Sequence, residues 1–216
     1  MVTSTLKLKQ LFAVPFGEMR LVPCERLNKE LESLFLQRES AEYKNPTPSH
    51  IAQEETFESR FNLFRWPEAC VQELRNFVLN AVAQMVIETT SLKPQDIAKL
   101  SFQNHTWFHI SRYAGSFVAH NHPLASWSGV YCVRAGESVS QHPDSGVLRF
   151  LDVRQGANAY LDPANATLQR AYALAPVELK LEAGQLVIFP SYVFHEVTPF
   201  YGSDTRITVA TNCWFA

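Results

Sequence analysis

The sequence lacks the features that would assign it to a membrane, a nucleic acid or an oxidising compartment. No uninterrupted apolar run approaches the length of a membrane span, and the first residues contain no apolar core of a secretory signal. A net charge of -2 and a pI near 6.4 leave no basic footprint for nucleic acid. The four cysteines are scattered without a Cys-x-x-Cys spacing, which favours free thiols in a reducing compartment. These absences predict a cytoplasmic protein with neither a membrane nor a nucleic-acid partner.

The remaining composition is that of an ordinary globular protein. The chain has 216 residues, of which 46% are hydrophobic and 19% charged, and this is enough for one substantial core. We expect a single domain over residues 1–216. Within it, residues 1–98 should supply a strand and helical support, and residues 99–216 a β-rich core.

Apolar periodicity places helices in the first part of the chain. Apolar residues recur at helical spacing over 23–38 and from Pro67 to about Thr89, and both segments are predicted helices. A weak alternation over 6–22 suggests one or two strands. The polar, proline-containing segment 40–56, which includes His50, is predicted as a loop.

From about residue 100 the pattern changes to short β-rich runs separated by glycine, proline and aspartate turns. The runs cover about 100–112, 116–121, 127–134, 147–152, 177–181, 185–190, 193–200 and 205–214. Helices followed by strands predict an α+β, mainly β fold: a sandwich or barrel backed by helices. The jelly-roll is the natural candidate, because its open mouth can hold a metal and a small ligand.

Three histidines from separate parts of the strand-rich half form the first candidate site. His120 and His122 are one residue apart, so on a strand they face the same side. His195 follows a glycine turn and a buried strand, at the expected start of another strand. Together they could hold iron, zinc, copper or nickel, and spacing alone does not name the metal. Structural or solvated roles are expected for the remaining histidines of this half: His105, His109 and His142.

Arg206 adds a candidate anion site. On an alternating strand it shares one face with Thr208, Ala210 and Asn212. If that face points into the barrel, the buried guanidinium needs an anion, and its paired N–H donors match the two oxygens of a carboxylate. The alternative is an outward Arg206 in a surface ion pair.

In their order and spacing these residues resemble the 2-oxoglutarate/Fe(II)-dependent oxygenase superfamily. The similarity is greatest to a largely uncharacterised bacterial and phage branch with His-x-His-Pro followed by Ser-Gly-Val-Tyr-Tyr. It runs from about Trp107 to Asn212 and is carried by His120-Asn-His122-Pro123, Ser128-Gly-Val-Tyr131, Phe189-Pro-Ser191 with His195, and Arg206. The resemblance implies a double-stranded β-helix, a cupin-like jelly-roll variant. It also implies an enzyme that binds Fe(II) and 2-oxoglutarate and uses dioxygen, usually to hydroxylate a substrate.

The resemblance also implies roles for individual residues. His120 and His195 match the two histidine ligands of the superfamily, with His122 as the third ligand. Arg206 matches the basic residue that holds the distal carboxylate of 2-oxoglutarate, with Thr208 beside it. Further contacts to the co-substrate are expected from Tyr131 and Asn212.

Two positions depart from the superfamily pattern. His122 stands where an aspartate or glutamate is usual, which leaves the metal centre one unit more positive. Cys132 replaces the second tyrosine of the branch motif. Asp144 or Asp152 is an alternative carboxylate ligand, although a solvated turn and strand-end packing are their expected roles.

A cupin-type metal protein that does not use 2-oxoglutarate is the alternative function. Gly184, Pro190 and His195 are similar to the second cupin motif, but the glutamate of the first motif is missing and Tyr192 replaces a glycine. This alternative gives no reason for an inward Arg206. A jelly-roll that packs its histidines without metal is the non-catalytic alternative.

Neither the prime substrate nor the oligomeric state is predicted, and a homodimer remains open. A small molecule or a peptide would be contacted by residues 40–66 and 156–175.

Overall fold

A curled antiparallel sheet dominates the computed structural model, which describes residues 6–47, 53–154, 162–163, 167–173 and 175–216. Its strands are β1 (Gly17–Arg20), β2 (Gln53–Glu58), β3 (Phe102–His120), β4 (Trp127–Arg134), β5 (Leu148–Phe150), β6 (Val177–Leu179), β7 (Gln185–Pro190), β8 (His195–Val197) and β9 (Arg206–Phe215). The helices are α1 (Glu25–Gln37), α2 (Ala69–Thr89) and α3 (Pro94–Ile97). The two long helices, α1 and α2, confirm the helices predicted from apolar periodicity over 23–38 and 67–89.

The strand order is that of a jelly-roll. Neighbouring strands run β1-β7-β4-β9-β3-β8-β5-β6, with β2 paired to β3. Strands distant in sequence therefore alternate in space, and the sheet curls so that its two halves face each other. This arrangement confirms the predicted α+β, mainly β, double-stranded β-helix.

Strand β3 belongs to both halves of the sheet because it bends in its middle. Residues 102–111 pair with β9, whereas Phe117 and His120 pair with β8. At the bend Ala114 has φ 67, and a Cβ on Gly115 would lie 2.9 Å from the Ser111 Cβ. Only glycine fits so close to the preceding turn. The sequence predicted two separate strands here; the bend joins them and carries His120 across to the second half of the sheet.

Apolar residues fill both sides of the larger half of the sheet. Its outer face packs on α1 and α2, for example through Phe35, which stacks on Phe108 with ring centroids 4.2 Å apart. Its inner face and the opposing half share a smaller cluster: Cys132, Leu148, Phe150, Leu181, Val187, Phe189 and Val193. Each fully buried large side chain contributes roughly 1.5–3 kcal/mol. The larger cluster fixes the helices to the sheet, and the smaller one lies between its two halves.

One prediction for the N-terminal half is corrected, and the expected one or two strands over 6–22 are confirmed as one. Strand β2 lies within the segment predicted as a loop, because its sequence Gln-Glu-Glu-Thr-Phe-Glu has no apolar alternation and its pairing partner is distant. The alternation over 6–22 yields one short strand, β1. His50 lies outside the described residues. Among the residues that are described, no helix is both long enough and apolar enough to span a membrane.

Candidate metal centre and co-substrate cavity

The three predicted histidines converge at one end of the barrel. His120 ends β3 and His195 begins β8, and the two are direct cross-strand partners. His122 lies two residues beyond the strand, where its backbone N–H donates to the Ser191 carbonyl at 2.9 Å. One ring nitrogen from each histidine lies within 4.8 Å of the other two. The backbone of two neighbouring strands and one anchored loop thus places all three imidazoles around a single point.

Hydrogen bonds orient two of these rings for metal binding. Nδ1 of His120 lies 2.7 Å from the Val118 carbonyl, and Nδ1 of His195 lies 3.0 Å from the Val193 carbonyl. A carbonyl only accepts, so each Nδ1 carries the hydrogen and donates it. The Nε2 lone pair of each ring is then left for a metal ion.

Burial keeps the three imidazoles in the neutral form that binds metal. It lowers the pKa of His195 to about 3 and that of His122 to about 4, and the charge of His120 acts in the same direction. The pKa of His120 is also lowered, again mainly by burial. Protons therefore compete weakly with a metal ion for these nitrogens near neutral pH. The chemistry of this donor set fits a borderline transition metal such as Fe(II).

Neither candidate carboxylate joins the cluster. The cluster contains only histidines among the described residues. The Asp152 carboxylate accepts from the Arg154 guanidinium at 2.6 Å, and Asp144 is exposed in a turn. Three neutral ligands therefore leave the full charge of a divalent ion uncompensated by the protein.

Arg206 points into the same cavity. Together with Thr208 and Asn212 it lines a void of about 50 Å³ that the three histidines also line. Its side chain is 4% exposed and passes over Gly146, where an added Cβ would lie 3.1 Å from the Arg206 Cδ. Burial lowers its pKa from the usual value. No carboxylate pairs with it among the described residues, so the cavity contains a buried cation that lacks a counter-ion.

Asn212 is oriented by a chain of hydroxyl groups. The Ser128 hydroxyl donates to the Asn212 side-chain oxygen at 2.8 Å and lies 2.8 Å from the Ser191 hydroxyl. Since the amide oxygen accepts from Ser128, the amide N–H₂ remains as a donor at the cavity wall. The same chain ties β4 and β9 to the loop that anchors His122.

Tyr131 lies on the opposite face of the sheet. It is fully buried against the helices, and its hydroxyl donates to the Asn28 side-chain oxygen of α1 at 2.7 Å. Side chains alternate along β4, so Val130 lines the cavity and Tyr131 cannot. This position contradicts the expectation that Tyr131 contacts the co-substrate.

Two residues that the sequence did not assign to the site also line this cavity. Trp107 and His109, on the inner face of β3, line the same void as the metal-site histidines. His109 was expected to be structural or solvated rather than a ligand, and it lies outside the histidine cluster, with its ring 3.1 Å from the Glu58 carboxylate of β2. The alternation of Trp107 and His109 on a predicted strand was the available signal. His105 and His142 instead contact aromatic rings outside the cavity, those of Trp214 and Tyr201.

A larger groove lies next to this cavity but lacks its chemistry. It has a volume of about 720 Å³, is formed mainly by residues 8–18, 150–154, 171–173 and 175–179, and shares only Phe189 with the smaller void. It contains none of the three clustered histidines and not Arg206. We therefore place the metal site in the smaller cavity, on chemistry rather than size.

A double-stranded β-helix with a three-imidazole cluster and a buried arginine that pairs with no carboxylate in the described part of the chain defines the class of non-haem metal-dependent jelly-roll proteins. A family model described as "Putative 2OG-Fe(II) oxygenase" matches residues 105–212, half of the chain. The chain belongs to this family of 2-oxoglutarate- and Fe(II)-dependent oxygenases, and it is an enzyme that uses dioxygen. No curated protein matches the sequence. The narrower bacterial and phage branch stays a prediction.

Solved structures of low sequence identity share the fold. A prolyl-4-hydroxylase from Pseudomonas putida has a TM-score of 0.58 and 17% identity, over 93% of this chain and 91% of that one. HygX from Streptomyces hygroscopicus, with nickel and 2-oxoglutarate bound, has a TM-score of 0.58 and 8% identity, over 93% of this chain and 82% of that one. The α-ketoglutarate-dependent epimerase SnoN from nogalamycin biosynthesis has a TM-score of 0.59 and 10% identity, over 92% of this chain and 77% of that one. At these identities the comparison concerns the fold alone.

Proposed function

We propose that the protein is a hydroxylase-type dioxygenase in which His120, His122 and His195 hold Fe(II) and Arg206 holds 2-oxoglutarate. One observation carries the proposal: three neutral imidazoles line the same cavity as a buried guanidinium for which the described residues provide no counter-ion. A metal site alone would not need the cation. A dianionic keto acid that binds the metal at one end and the guanidinium at the other gives both groups a partner.

Bound Fe(II) would supply activation of dioxygen, coupled to decarboxylation of the keto acid to succinate and CO₂. The protein's own residues would bind and orient the keto acid. Arg206 would hold the far carboxylate through paired N–H donors, with the Thr208 hydroxyl as a further donor. The Asn212 amide would donate to the bound ligand, and Phe189 would exclude water from the cavity wall.

The void of about 50 Å³ is small for a five-carbon dicarboxylate, so we expect lining side chains to move when it binds. Arg206 is the best candidate for that movement, because no carboxylate among the described residues fixes its guanidinium. The all-histidine donor set has its own consequence. Without a protein carboxylate the centre keeps one more positive charge, which should favour binding of the anionic keto acid.

Hydroxylation is the proposed outcome. It is supported by the prolyl hydroxylases among the structures of the same fold, whereas SnoN is described as an epimerase. The substrate remains to be identified, and much of the predicted substrate segment 156–175 lies outside the described residues. We also propose that the chain acts as one domain, because β1 pairs with β7 and α1 packs on the barrel. The four free thiols support a cytoplasmic location.

The test uses protein without a histidine tag, loaded with Mn(II) or Fe(II) in the absence of oxygen. We expect one metal ion per chain, and a rise in melting temperature when 2-oxoglutarate is added to the loaded protein. His195→Ala should lose the metal, while His142→Ala, at an exposed position outside the cavity, should keep it. Molecular mass measured on the same samples would show whether the chain is a homodimer.

Three results would separate the alternatives. Absence of bound metal would favour the non-catalytic jelly-roll. Bound metal without any response to 2-oxoglutarate would favour a cupin-type protein. Succinate release in air, on incubation with a library of metabolites and peptides, would identify the substrate class, and mass analysis would show whether an oxygen atom has been added.

A further inference from the structure

A second polar cluster reaches the candidate metal cavity from the side of β3, with Trp107 and His109 in the cavity wall. It consists of Trp107 and His109 on that strand and Glu58 at the end of β2, with 5%, 9% and 8% of their surfaces exposed. The Asn45 side-chain amide donates to the other Glu58 oxygen at 2.8 Å. The three imidazoles, Arg206 and Thr208 do not account for this buried carboxylate–imidazole–indole group.

The contacts within this cluster cannot all be made at once. Nε2 of His109 lies 2.9 Å from the Trp107 indole nitrogen and 3.1 Å from a Glu58 carboxylate oxygen. The indole N–H only donates, and an ionised carboxylate only accepts. With a hydrogen, Nε2 can donate to Glu58 but cannot accept from Trp107. Without one, it can accept from Trp107 but meets Glu58 with a lone pair.

The contact with Glu58 is the stronger of the two. Burial alone would raise the pKa of Glu58, but the hydrogen bond and charge of His109, with the bond from Asn45, outweigh burial and lower it. Glu58 is therefore ionised at neutral pH, and a hydrogen bond to an ionised group is roughly twice as strong as one between neutral groups. The Nε2 hydrogen goes to Glu58. Trp107 is left with a buried N–H for which no other described residue supplies an acceptor, at a cost of about 1–3 kcal/mol.

The position of Trp107 indicates which ligand could supply the acceptor. Its ring packs on Phe61 and contacts the His122 ring, with centroids 4.5 Å and 6.1 Å away. The cross-strand partner of Arg206 is Ser111, four positions further along β3 and about 13 Å away at a rise of 3.3 Å per residue. Trp107 is thus at the histidine end of the cavity rather than the arginine end.

We propose that the Trp107 indole N–H donates to an oxygen at the metal-binding, 2-oxo acid end of the keto acid, and that Glu58, through His109, keeps this N–H free for it. The inference rests on the proposed function. Trp107 would be a ligand-binding residue, and His109 and Glu58 would be positioning residues. In this arrangement ligand binding removes the unsatisfied donor of the empty cavity.

Oxalate is the probe that isolates this end of the cavity. It reproduces the chelating end of a 2-oxo acid but lacks the carboxylate assigned to Arg206. In Mn(II)-loaded protein without oxygen, titration calorimetry should show that Trp107→Phe weakens oxalate and 2-oxoglutarate alike, by about 10- to 100-fold for one hydrogen bond to an ionised oxygen. Arg206→Met should weaken only 2-oxoglutarate. Trp214→Phe is the matched control and should change neither affinity, because Trp214 lies near the C-terminal end of β9 and is not among the residues that line the cavity.

A double-mutant cycle tests the positioning role. Glu58→Gln removes the charge that holds the Nε2 hydrogen, so Trp107 can donate to His109 again and both ligands should bind more weakly. The double variant with Trp107→Phe should bind no more weakly than Trp107→Phe alone. Additive losses would show that Glu58 acts independently of Trp107 and would overturn this part of the inference.

A measurement on the unsubstituted protein guards against variants that fail to fold. The chain has 4 tryptophans, so its indole N–H groups give a countable set of nitrogen-15 resonances. In Zn(II)-loaded protein, oxalate should shift the Trp107 N–H resonance strongly downfield and the others weakly. Affinities unaffected by Trp107→Phe, or an unshifted Trp107 resonance with oxalate bound, would overturn the proposal. Parent protein that binds metal but neither ligand would refute the proposed function itself.

Discussion

Replacement of Arg206 by methionine separates the folding role of this residue from its binding role. The guanidinium is 4% exposed and has no carboxylate partner among the described residues. An apolar side chain of similar length fills the same space without a buried charge. By analogy with buried ion pairs replaced by apolar residues, we expect Arg206→Met without ligand to be neutral or stabilising by about 1–4 kcal/mol. A residue that merely braced the fold would behave in the opposite way.

Arg206→Met should, in contrast, reduce the stabilisation of the protein by 2-oxoglutarate. At a ligand concentration 100 times Kd, binding stabilises the parent by about 2.7 kcal/mol, which for a chain of this size is a rise of roughly 5–10 °C in melting temperature. Loss of a buried charge-assisted pair costs about 2–5 kcal/mol, or at least a 30-fold increase in Kd. At the same ligand concentration, stabilisation of the variant then falls below about 1 kcal/mol.

Thermal unfolding of Mn(II)-loaded protein without oxygen measures both effects. Arg149→Met is the matched control, because Arg149 pairs with Glu178 and Glu196 outside the cavity. That variant should keep the full response to 2-oxoglutarate. The reasoning would be refuted if Arg206→Met responded as strongly as the parent, or if it lost several kcal/mol of stability before any ligand was added.

Three further predictions concern the same site and its surroundings. Gly146→Ala should weaken 2-oxoglutarate binding without loss of metal in calorimetric titrations, because φ is +64 and the new Cβ would lie 3.1 Å from the guanidinium-bearing side chain; unchanged affinity would contradict the proposed anchor. Tyr131→Phe should cost about 1–2 kcal/mol in urea unfolding through its lost hydrogen bond to α1, and an altered affinity for 2-oxoglutarate would contradict its assignment to the helix side. The metal-free protein should lose stability as pH falls, because the pKa values of His122 and His195 are lowered to about 4 and about 3, so the unfolded chain takes up protons first below pH 6.5. Melting temperatures that stayed constant between pH 7 and pH 4.5 would contradict the burial of these rings.

Several parts of the site could be predicted because they depend on local rules. Alternation along β9 assigns Arg206, Thr208 and Asn212 to one face, and the structure shows that this face lines the cavity. The histidine spacing, with a glycine turn before a buried strand, placed His120 and His195 near strand ends. Apolar periodicity likewise identified both long helices. In each case the signal lies within a few neighbouring residues.

Other parts depend on which distant strands pair. Alternation along β4 separates Tyr131 from Val130 but does not say which of them faces the cavity, and the pairing of β4 with β7 and β9 decides it. Strand β2 has no apolar pattern, so only its pairing with β3 places the Glu58 carboxylate beside His109. By itself, the sequence determined which residues share a face of a strand and which residue types can bind metal and carboxylate. The tertiary structure decided which face is inside, because that depends on contacts between segments far apart in the chain, where local propensity carries no information.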